Sequence, residues 1–321
     1  MRSTVHVVRT SVLICAFAFL SFFSNAQSIT SPDGKFEIGL GIGPLFFLGD
    51  LGGNLGKGTY FVKDVNLPVT KMQKGIFVNY YPREWFGFRF AANHGVLEGA
   101  DSLIKEKGGD ESYRYVRNLH FRSSLLEAYA AVEIYPTVFF EEYEGLQGKV
   151  RPYGVIGVGM FKFKPQTQYY SPNGTSRYVD LEPLQIEGQG MSEYPDRPRY
   201  KLTQMEIPMG AGVKWFVKEN MYIGFEILHR KTFTDYIDDL SKDYIDPTLY
   251  DKYLTPENAA VAKTVQNRKL GAGPSSNGGT FFVGEERGNS KNNDTFFSSI
   301  LRFGWRLFDN STVAGMGCPK W

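Results

Sequence analysis

The feature of this sequence that most limits its fold is an apolar alternation with a period of two residues. Phe36, Ile38, Leu40 and Ile42, for example, alternate with a glutamate and with glycines. A period of two is typical of a β-strand whose two faces meet different surroundings. The pattern recurs, with some irregularity, over residues 36–43, 74–81, 86–93, 126–134, 153–163, 204–215, 223–228 and 299–307. The sequence therefore predicts an all-β protein built from these strands.

The connections between the strands distinguish a membrane barrel from a soluble sandwich, because both architectures show alternation. Long and short connections alternate along the chain. The long ones lie at residues 48–73, 97–118, 165–201 and 232–295, and the short ones at residues 82–84, 136–151 and 218–220. A transmembrane barrel has short periplasmic turns at one rim and long surface loops at the other. We therefore predict an eight-stranded antiparallel up-and-down transmembrane β-barrel with long extracellular loops.

Aromatic residues flank two of the short turns and indicate a girdle at the membrane surface, where such side chains are enriched. They are Tyr80, Tyr81, Trp85, Phe86, Trp215, Phe216 and Tyr222.

The first residues have the form of a signal peptide. Arg2 and Arg9 precede an apolar stretch at residues 11–23, and Ser24, Asn25 and Ala26 offer the small residues that a signal peptidase reads. We expect cleavage after Ala26, which gives a signal peptide at 1–26, a barrel at 27–308, a periplasmic tail at 309–321 and a location in the cell outer membrane. Removing the two arginines brings the net charge from +2 to zero, so no binding to nucleic acid is expected.

The predicted inward faces of the strands carry charges of both signs. The interior of an eight-stranded barrel is just wide enough for side chains, and enclosed charges need partners. We therefore predict a charge network in the lumen. Its members are Glu127, Glu133, Glu206, Glu226, Arg89, Lys214 and Arg302, with Glu37, Arg230 and Arg306 either joining it or lying solvated at the rims.

The sequence contains little that indicates catalysis. His94, His120 and His229 fall on the outward parity near the long-loop ends of their strands, and His120 and Ser123 are three apart, so they face opposite sides of a strand. No phosphate loop or Cys/His cluster is found. We predict a non-catalytic protein without cofactor.

The fourth long loop is rich in aspartate: Asp235, Asp238, Asp239, Asp243, Asp246 and Asp251. This spacing does not match a twelve-residue calcium loop. We therefore expect a solvated acidic loop without a metal site. Residues 247–263 can form a short helix, with Thr255 as the cap of a second helix that starts at Pro256.

Several short motifs resemble a Bacteroidota family of outer-membrane β-barrels that includes PorG, an accessory component of the type IX secretion system. They are spread over the chain that follows the predicted signal peptide: Gly49-Asp50-Leu51-Gly52-Gly53, Asn79-Tyr80-Tyr81-Pro82, Asp180-Leu181-Glu182-Pro183-Leu184, Glu187-Gly188-Gln189-Gly190, residues 234–239 and 244–246, Arg287-Gly288-Asn289 and Cys318-Pro319-Lys320-Trp321.

The resemblance implies a PorG-like scaffold or anchor in the outer membrane. It would associate with the periplasmic ring that a lipoprotein and its partner protein form, in contact with outer-membrane lipid and without enzymatic activity. The candidate contacts lie in the second short turn and in the tail: Phe139, Phe140, Tyr143, Cys318, Pro319, Lys320 and Trp321. Phe139, Phe140 and Tyr143 can also be interfacial anchors, and Cys318 can pair with a partner's thiol or stay free. The alternative function is a surface barrel whose long loops bind an external ligand or envelope component.

Overall fold

Eight long strands dominate the computed structural model, which describes residues 35–51, 67–104, 111–141, 145–171, 173–269 and 283–307. The predicted signal peptide, the tail at 309–321 and residues 142–144 lie outside the described residues. The barrel strands are β1 (Lys35–Leu48), β2 (Lys71–Arg83), β3 (Phe86–Ala100), β4 (His120–Ile134), β5 (Val150–Tyr170), β7 (Thr203–Lys218), β8 (Met221–Thr232) and β9 (Thr295–Leu307). The short strand β6 (Ser176–Asp180) pairs with the end of β5.

The strands close into a barrel in which every neighbour is antiparallel. Each barrel strand pairs with the one before it in the chain, and β1 pairs with β9 from Phe36 opposite Leu307 to Leu48 opposite Thr295. The short strand β6 does not interrupt this order, because β5 pairs directly with β7. The predicted eight-stranded antiparallel barrel is therefore confirmed.

The outer wall of the barrel carries an apolar belt. Alternate residues of the strands are exposed and apolar, among them Ile76 on β2, Phe90 on β3, Val158 on β5 and Leu301 on β9. The residues between them face inward and are buried. A closed barrel with a lipid-facing apolar belt and a polar interior is an outer-membrane structure, and this is where the protein resides. Among the described residues, no helix is long and apolar enough to cross a membrane.

The two rims differ as the loop lengths predict. At the periplasmic rim, β2–β3 and β7–β8 are joined by two residues each, Glu84-Trp85 and Glu219-Asn220. At the opposite rim lie β6 and three helices, α1 (Glu111–Arg117), α2 (Leu249–Tyr253) and α3 (Pro256–Val265). The helix start at Pro256 is confirmed, and the Thr255 side chain accepts a hydrogen bond from the backbone N–H of Asn258.

The surface loops pack into an ordered cap over the outer mouth. Ile237 and Leu240, which follow β8, are buried against Phe121, Phe161 and Phe296 at the upper end of the barrel. A second apolar cluster joins the loop before β7 to the two helices of the fourth loop; its fully buried members are Leu181, Leu184, Ile186, Met191, Ile245, Tyr250, Ala259, Val261, Ala262 and Val265. We refer to the connection from β5 to β7 and the connection from β8 to β9 together as the cap.

Candidate functional site

The longest connection at the periplasmic rim joins β4 to β5 and contains the candidate contact residues. It begins with a 3-10 turn at Pro136–Phe140. Val138 is buried beneath the barrel together with Tyr135 and Leu146. The turn therefore folds under the lower end of the barrel and closes it with apolar side chains.

Ion pairs and hydrogen bonds hold this turn in place. Arg151 pairs with Glu84 at 2.8 Å and with Glu141 at 2.9 Å. The carboxylate of Glu219, in the neighbouring turn, accepts hydrogen bonds from the backbone N–H groups of Leu146 at 2.9 Å and Gln147 at 3.0 Å. Because these contacts join three periplasmic turns, the β4–β5 turn presents a defined surface.

Two phenylalanines of this turn, Phe139 and Phe140, are exposed on this surface. Phe139 is 57% exposed, and its ring centre lies 5.8 Å from that of Trp85. Phe140 is 88% exposed. Phe139 thus adjoins an aromatic residue of the first turn, whereas Phe140 is almost fully exposed. Tyr143 and the tail residues Cys318, Pro319, Lys320 and Trp321 lie outside the described residues.

The lumen contains buried ion pairs at the positions that the alternation assigned to the inner face. All ten charged residues considered for the network are buried. The ion pairs join Arg89 to Glu133 and Glu226, Lys214 to Glu37 and Glu133, Arg230 to Glu127, Arg302 to Glu226, and Arg306 to Glu37. Of the two alternatives for Glu37, Arg230 and Arg306, solvation at the rims does not hold, because all three are buried.

Lys214 lies at the centre of the lower half of this network. Its ammonium group donates hydrogen bonds to Glu37 at 2.8 Å, to the hydroxyl of Tyr81 at 2.7 Å and to Glu133 at 3.3 Å. Arg89 also donates to Glu133, and it reaches Glu226 at 2.6 Å. A buried ammonium group has three donors to satisfy, and here each of them has an acceptor.

The upper half of the network centres on Glu127. Arg230 forms a two-pronged hydrogen bond with it, at 2.8 and 3.0 Å, and the amide of Asn93 donates to it at 2.7 Å. Glu206 is buried beside Glu127. Paired, bidentate geometry is what makes enclosed charges tolerable. The lumen is therefore filled by a polar core.

The sequence analysis missed the tyrosines of this core. Tyr81, Tyr135, Tyr153 and Tyr222 are buried, and their hydroxyl groups donate to Glu133, Glu133, Glu226 and Glu37, respectively. Tyr81, Phe216 and Tyr222 were assigned to the outer girdle, which was wrong. The same alternation could have placed Tyr81 inside the barrel, because Tyr81 has the same parity as Phe77 and Asn79, which face inward on β2.

Inward glycines make room for these rings. A Cβ on Gly304 would lie 2.1 Å from the ring of Tyr222, and one on Gly39 would lie 2.2 Å from the ring of Phe77. Both distances are far below van der Waals contact. These glycines are therefore required by the crowding of the lumen.

The acidic part of the fourth loop is buried, so the expectation of a solvated loop was wrong for its first three aspartates. Asp238 accepts hydrogen bonds from the backbone N–H groups of Leu51 at 3.2 Å and Leu240 at 3.0 Å. Asp294 accepts one from Ile237 at 2.8 Å. These carboxylates therefore bind together the first loop, the fourth loop and the start of β9.

Burial among other carboxylates raises the pKa values of these aspartates. Desolvation, with the charges of Asp50 and Asp235 adding to it, raises the pKa of Asp238 well above its ordinary value. Burial raises the pKa of Asp235 to about 8 and that of Asp239 to about 7, although the charge of Arg287 acts in the opposite direction on Asp239. We call Asp50, Asp235, Asp238, Asp239 and Asp294 the mouth carboxyl cluster.

The three histidines past the signal segment do not form a site. His94 lies on the outer face of β3 and His229 on β8, and these strands are on opposite sides of the barrel. His120, at the start of β4, accepts a hydrogen bond from the backbone N–H of Gln168. Among the described residues, no group of three or more His, Cys, Asp or Glu side chains is arranged to hold a metal ion.

Comparisons with known proteins concern the barrel fold. No protein-family model matches the sequence, and no curated protein matches it. Solved structures of similar fold include OprG from Pseudomonas aeruginosa, with 12% identity, a TM-score of 0.37 and coverage of 88% of this chain and 100% of that chain. Neisserial surface protein A has 8% identity and a TM-score of 0.34, covering 86% and 99%. Ail from Yersinia pestis, in complex with the heparin analogue sucrose octasulfate, has 10% identity and a TM-score of 0.33, covering 85% and 97%.

Proposed function

We propose that this barrel is a non-catalytic, PorG-like anchor that holds a periplasmic assembly at the outer membrane, namely the ring formed by a lipoprotein and its partner protein in the type IX secretion system. The observation that carries the proposal is the β4–β5 turn, which ion pairs hold in place and on which Phe140 is exposed. The resemblance of the loop motifs to the family that includes PorG supports the choice of partner.

The geometry of the turn suits a docking surface. Aromatic side chains are enriched among the residues that dominate binding energy at protein interfaces, and a preorganised surface loses little entropy on binding. Phe140 combines both properties, because the salt bridges of Arg151 and the hydrogen bonds to Glu219 fix the segment that carries it. Phe139, next to Trp85, is the interfacial anchor of the pair.

Replacing Phe140 by alanine is expected to release the ring proteins. Loss of an aromatic contact at the centre of an interface costs about 2 kcal/mol or more, which corresponds to roughly thirtyfold weaker binding. The measurement is affinity purification of the barrel from native membranes, with quantification of the periplasmic proteins that co-elute. Removal of the chain after Asp309 tests the predicted contribution of the tail in the same assay.

The matched control is Phe233→Ala, because Phe233 is a half-exposed phenylalanine at the opposite rim. It should leave co-purification unchanged. Both variants should keep the shift in electrophoretic mobility that folded barrels show on heating in SDS. Equal recovery of the ring proteins with the Phe140 variant and with the unaltered protein would contradict the assigned docking residue.

A second function, binding of an external component by the loops, is favoured by one observation, the ordered cap. Tyr250 is buried at its centre and donates a hydrogen bond to the backbone oxygen of Ile186 at 2.6 Å, so the third and fourth loops form one packed unit. If the cap is the binding surface, deletion of residues 249–265 abolishes the interaction with the envelope component and truncation after Asp309 does not. The same pair of variants thus distinguishes the two functions.

A further inference from the structure

The outer wall of β3, β4 and β5 contains a recess in the apolar belt. Small side chains form its floor, Ala92, Ala128 and Ala130, while Phe90 and Met160 stand at its edges. The recess is a shallow depression that is open along the wall, with a volume of about 650 Å³. A second groove of about 490 Å³ shares Phe90 and Ala130 with it and continues along the wall. A lipid acyl chain has the shape and polarity that such a groove accepts.

Basic side chains lie directly above this recess, toward the rim that carries the cap. The register pairs Ala128 with Met160 and, one outward row higher, Leu126 with Lys162. Lys162 is therefore about 7 Å above the recess, since two residues of a strand rise by that distance. Lys164 follows on the same face, and Arg122 is exposed on the adjoining strand β4. Lys201, just before β7, is also exposed on this side.

Little acidic charge offsets this group. Asp180 pairs with Lys164 at 2.9 Å, whereas Arg122, Lys162 and Lys201 make no ion pair with any other residue that the structure describes. Arg122 instead lies 5.4 Å from the ring of Tyr178. Glu98 on β3 lies opposite Arg122 and pairs with Lys71 at 3.1 Å. Five cations with two carboxylates therefore leave a positive patch between the recess and the cap.

The opposite wall has a different character at the same level. There Phe46 on β1 and Phe297 on β9 stack with ring centres 4.6 Å apart. A general band of lysines around the rim would serve solubility alone. Lys231 is exposed at the outer end of β8, but Arg122, Lys162 and Lys164 lie together above the recess, so their charge and the groove form a single site.

We propose that Arg122, Lys162 and Lys164, with the recess below them, bind a phosphate-bearing lipid of the outer leaflet, the cations contacting the phosphate and the groove holding an acyl chain. Arginine and lysine make strong charge-assisted hydrogen bonds to phosphate oxygens, and an anionic headgroup next to the membrane surface is attracted to such a patch. This site is independent of the periplasmic docking surface.

The test uses the folded full-length mature protein in a neutral detergent, titrated with dioleoyl phosphatidic acid or with dioleoyl phosphatidylcholine and followed by native mass spectrometry. The unaltered protein is expected to bind phosphatidic acid about tenfold more tightly than phosphatidylcholine. Replacement of Arg122, Lys162 and Lys164 by glutamine should abolish that preference. The control replaces Lys218, Lys231 and Lys291 by glutamine, which removes the same charge away from the recess, and it should retain the preference.

Two further measurements separate the parts of the site. Ala128→Leu should fill the recess and weaken phosphatidic acid binding several-fold, whereas Ala211→Leu, on the outer face of β7 and outside both grooves, should not. Millimolar inorganic phosphate should not displace the lipid. A preference that survives the triple replacement, that the control loses equally, or that phosphate alone abolishes overturns the proposal.

Discussion

Replacing Glu133 by alanine is expected to lower the free energy of unfolding of the barrel by about 3–5 kcal/mol, the usual cost of removing one partner of a buried ion pair. Glu133 is fully buried and pairs with both Arg89 and Lys214. It also accepts hydrogen bonds from Asn79 at 3.1 Å and from Tyr81 at 2.7 Å. Without it, two cations lose a counter-charge in a space that water cannot enter freely.

The measurement is the urea midpoint of unfolding in detergent micelles, followed by the mobility shift in SDS. Glu98→Ala is the matched control, because Glu98 pairs with Lys71 at 3.1 Å but both side chains are partly exposed. Exposed pairs contribute at most about 1 kcal/mol, so this variant should unfold close to the unaltered protein. A Glu133 variant as stable as the Glu98 variant would show that solvent reaches the lumen.

A double replacement refines this prediction. Changing both Arg89 and Glu133 to methionine removes the pair and leaves apolar side chains, a change that is often neutral in buried sites. Glu226 keeps Arg302 as a partner at 3.4 Å, and Lys214 keeps Glu37. The double variant should therefore be less destabilised than the sum of the two single changes, as expected for residues in direct contact.

The barrel was predictable because alternation and loop length are local signals. Parity placed Glu127, Arg89 and the other lumen charges on the inner face, since a strand has only two faces. It assigned Tyr81 and Tyr222 wrongly, because an aromatic residue near a turn suits either a girdle or the lumen. What decides is the crowding of the interior, where Gly304 leaves room for the ring of Tyr222. The fit between Gly304 and Tyr222 involves two different strands, so the alternation within one strand does not reveal it.

The cap could not be predicted, because its contacts join loops distant in sequence. Glu187 illustrates this: it accepts hydrogen bonds from the backbone N–H groups of Ser241 and Lys242 and pairs with Arg287 at 2.9 Å. A run of aspartates by itself indicates solvation, which is the usual state of charged loops. Here the apolar residues Ile237 and Leu240 lie among them, and their burial at the barrel mouth takes Asp238 and Asp239 with them.

The cap is expected to be held most tightly at acidic pH and to loosen as the pH rises. Burial, with the charges of Asp50 and Glu187 adding to it, raises the pKa of Asp235 from 3.8 to about 8, although a hydrogen bond with Ser241 acts in the opposite direction. A group whose pKa is raised in the folded state contributes stability that is complete below its unfolded pKa. That stability is lost as the pH rises through the folded value. For Asp235 this window runs from about pH 4 to about pH 8. Asp239, with a pKa of about 7, titrates in the same range.

Hydrogen exchange at the backbone amides of Ile237 and Leu240, corrected for the intrinsic rate, measures this effect, because these amides donate to Asp294 and Asp238. Protection should fall by at least about tenfold between pH 5 and pH 9, since a pKa that is raised by about one already changes the coupled opening equilibrium tenfold. Asp235→Asn should reduce this dependence, because the amide keeps the shape of the side chain without its charge, while the other buried aspartates keep their own contributions. Asp246→Asn is the control: hydrogen bonds from Thr248 lower the pKa of Asp246, so it is ionised throughout. Protection that rises with pH would contradict the prediction, because it would mean that these carboxyl groups are ionised in the folded cap.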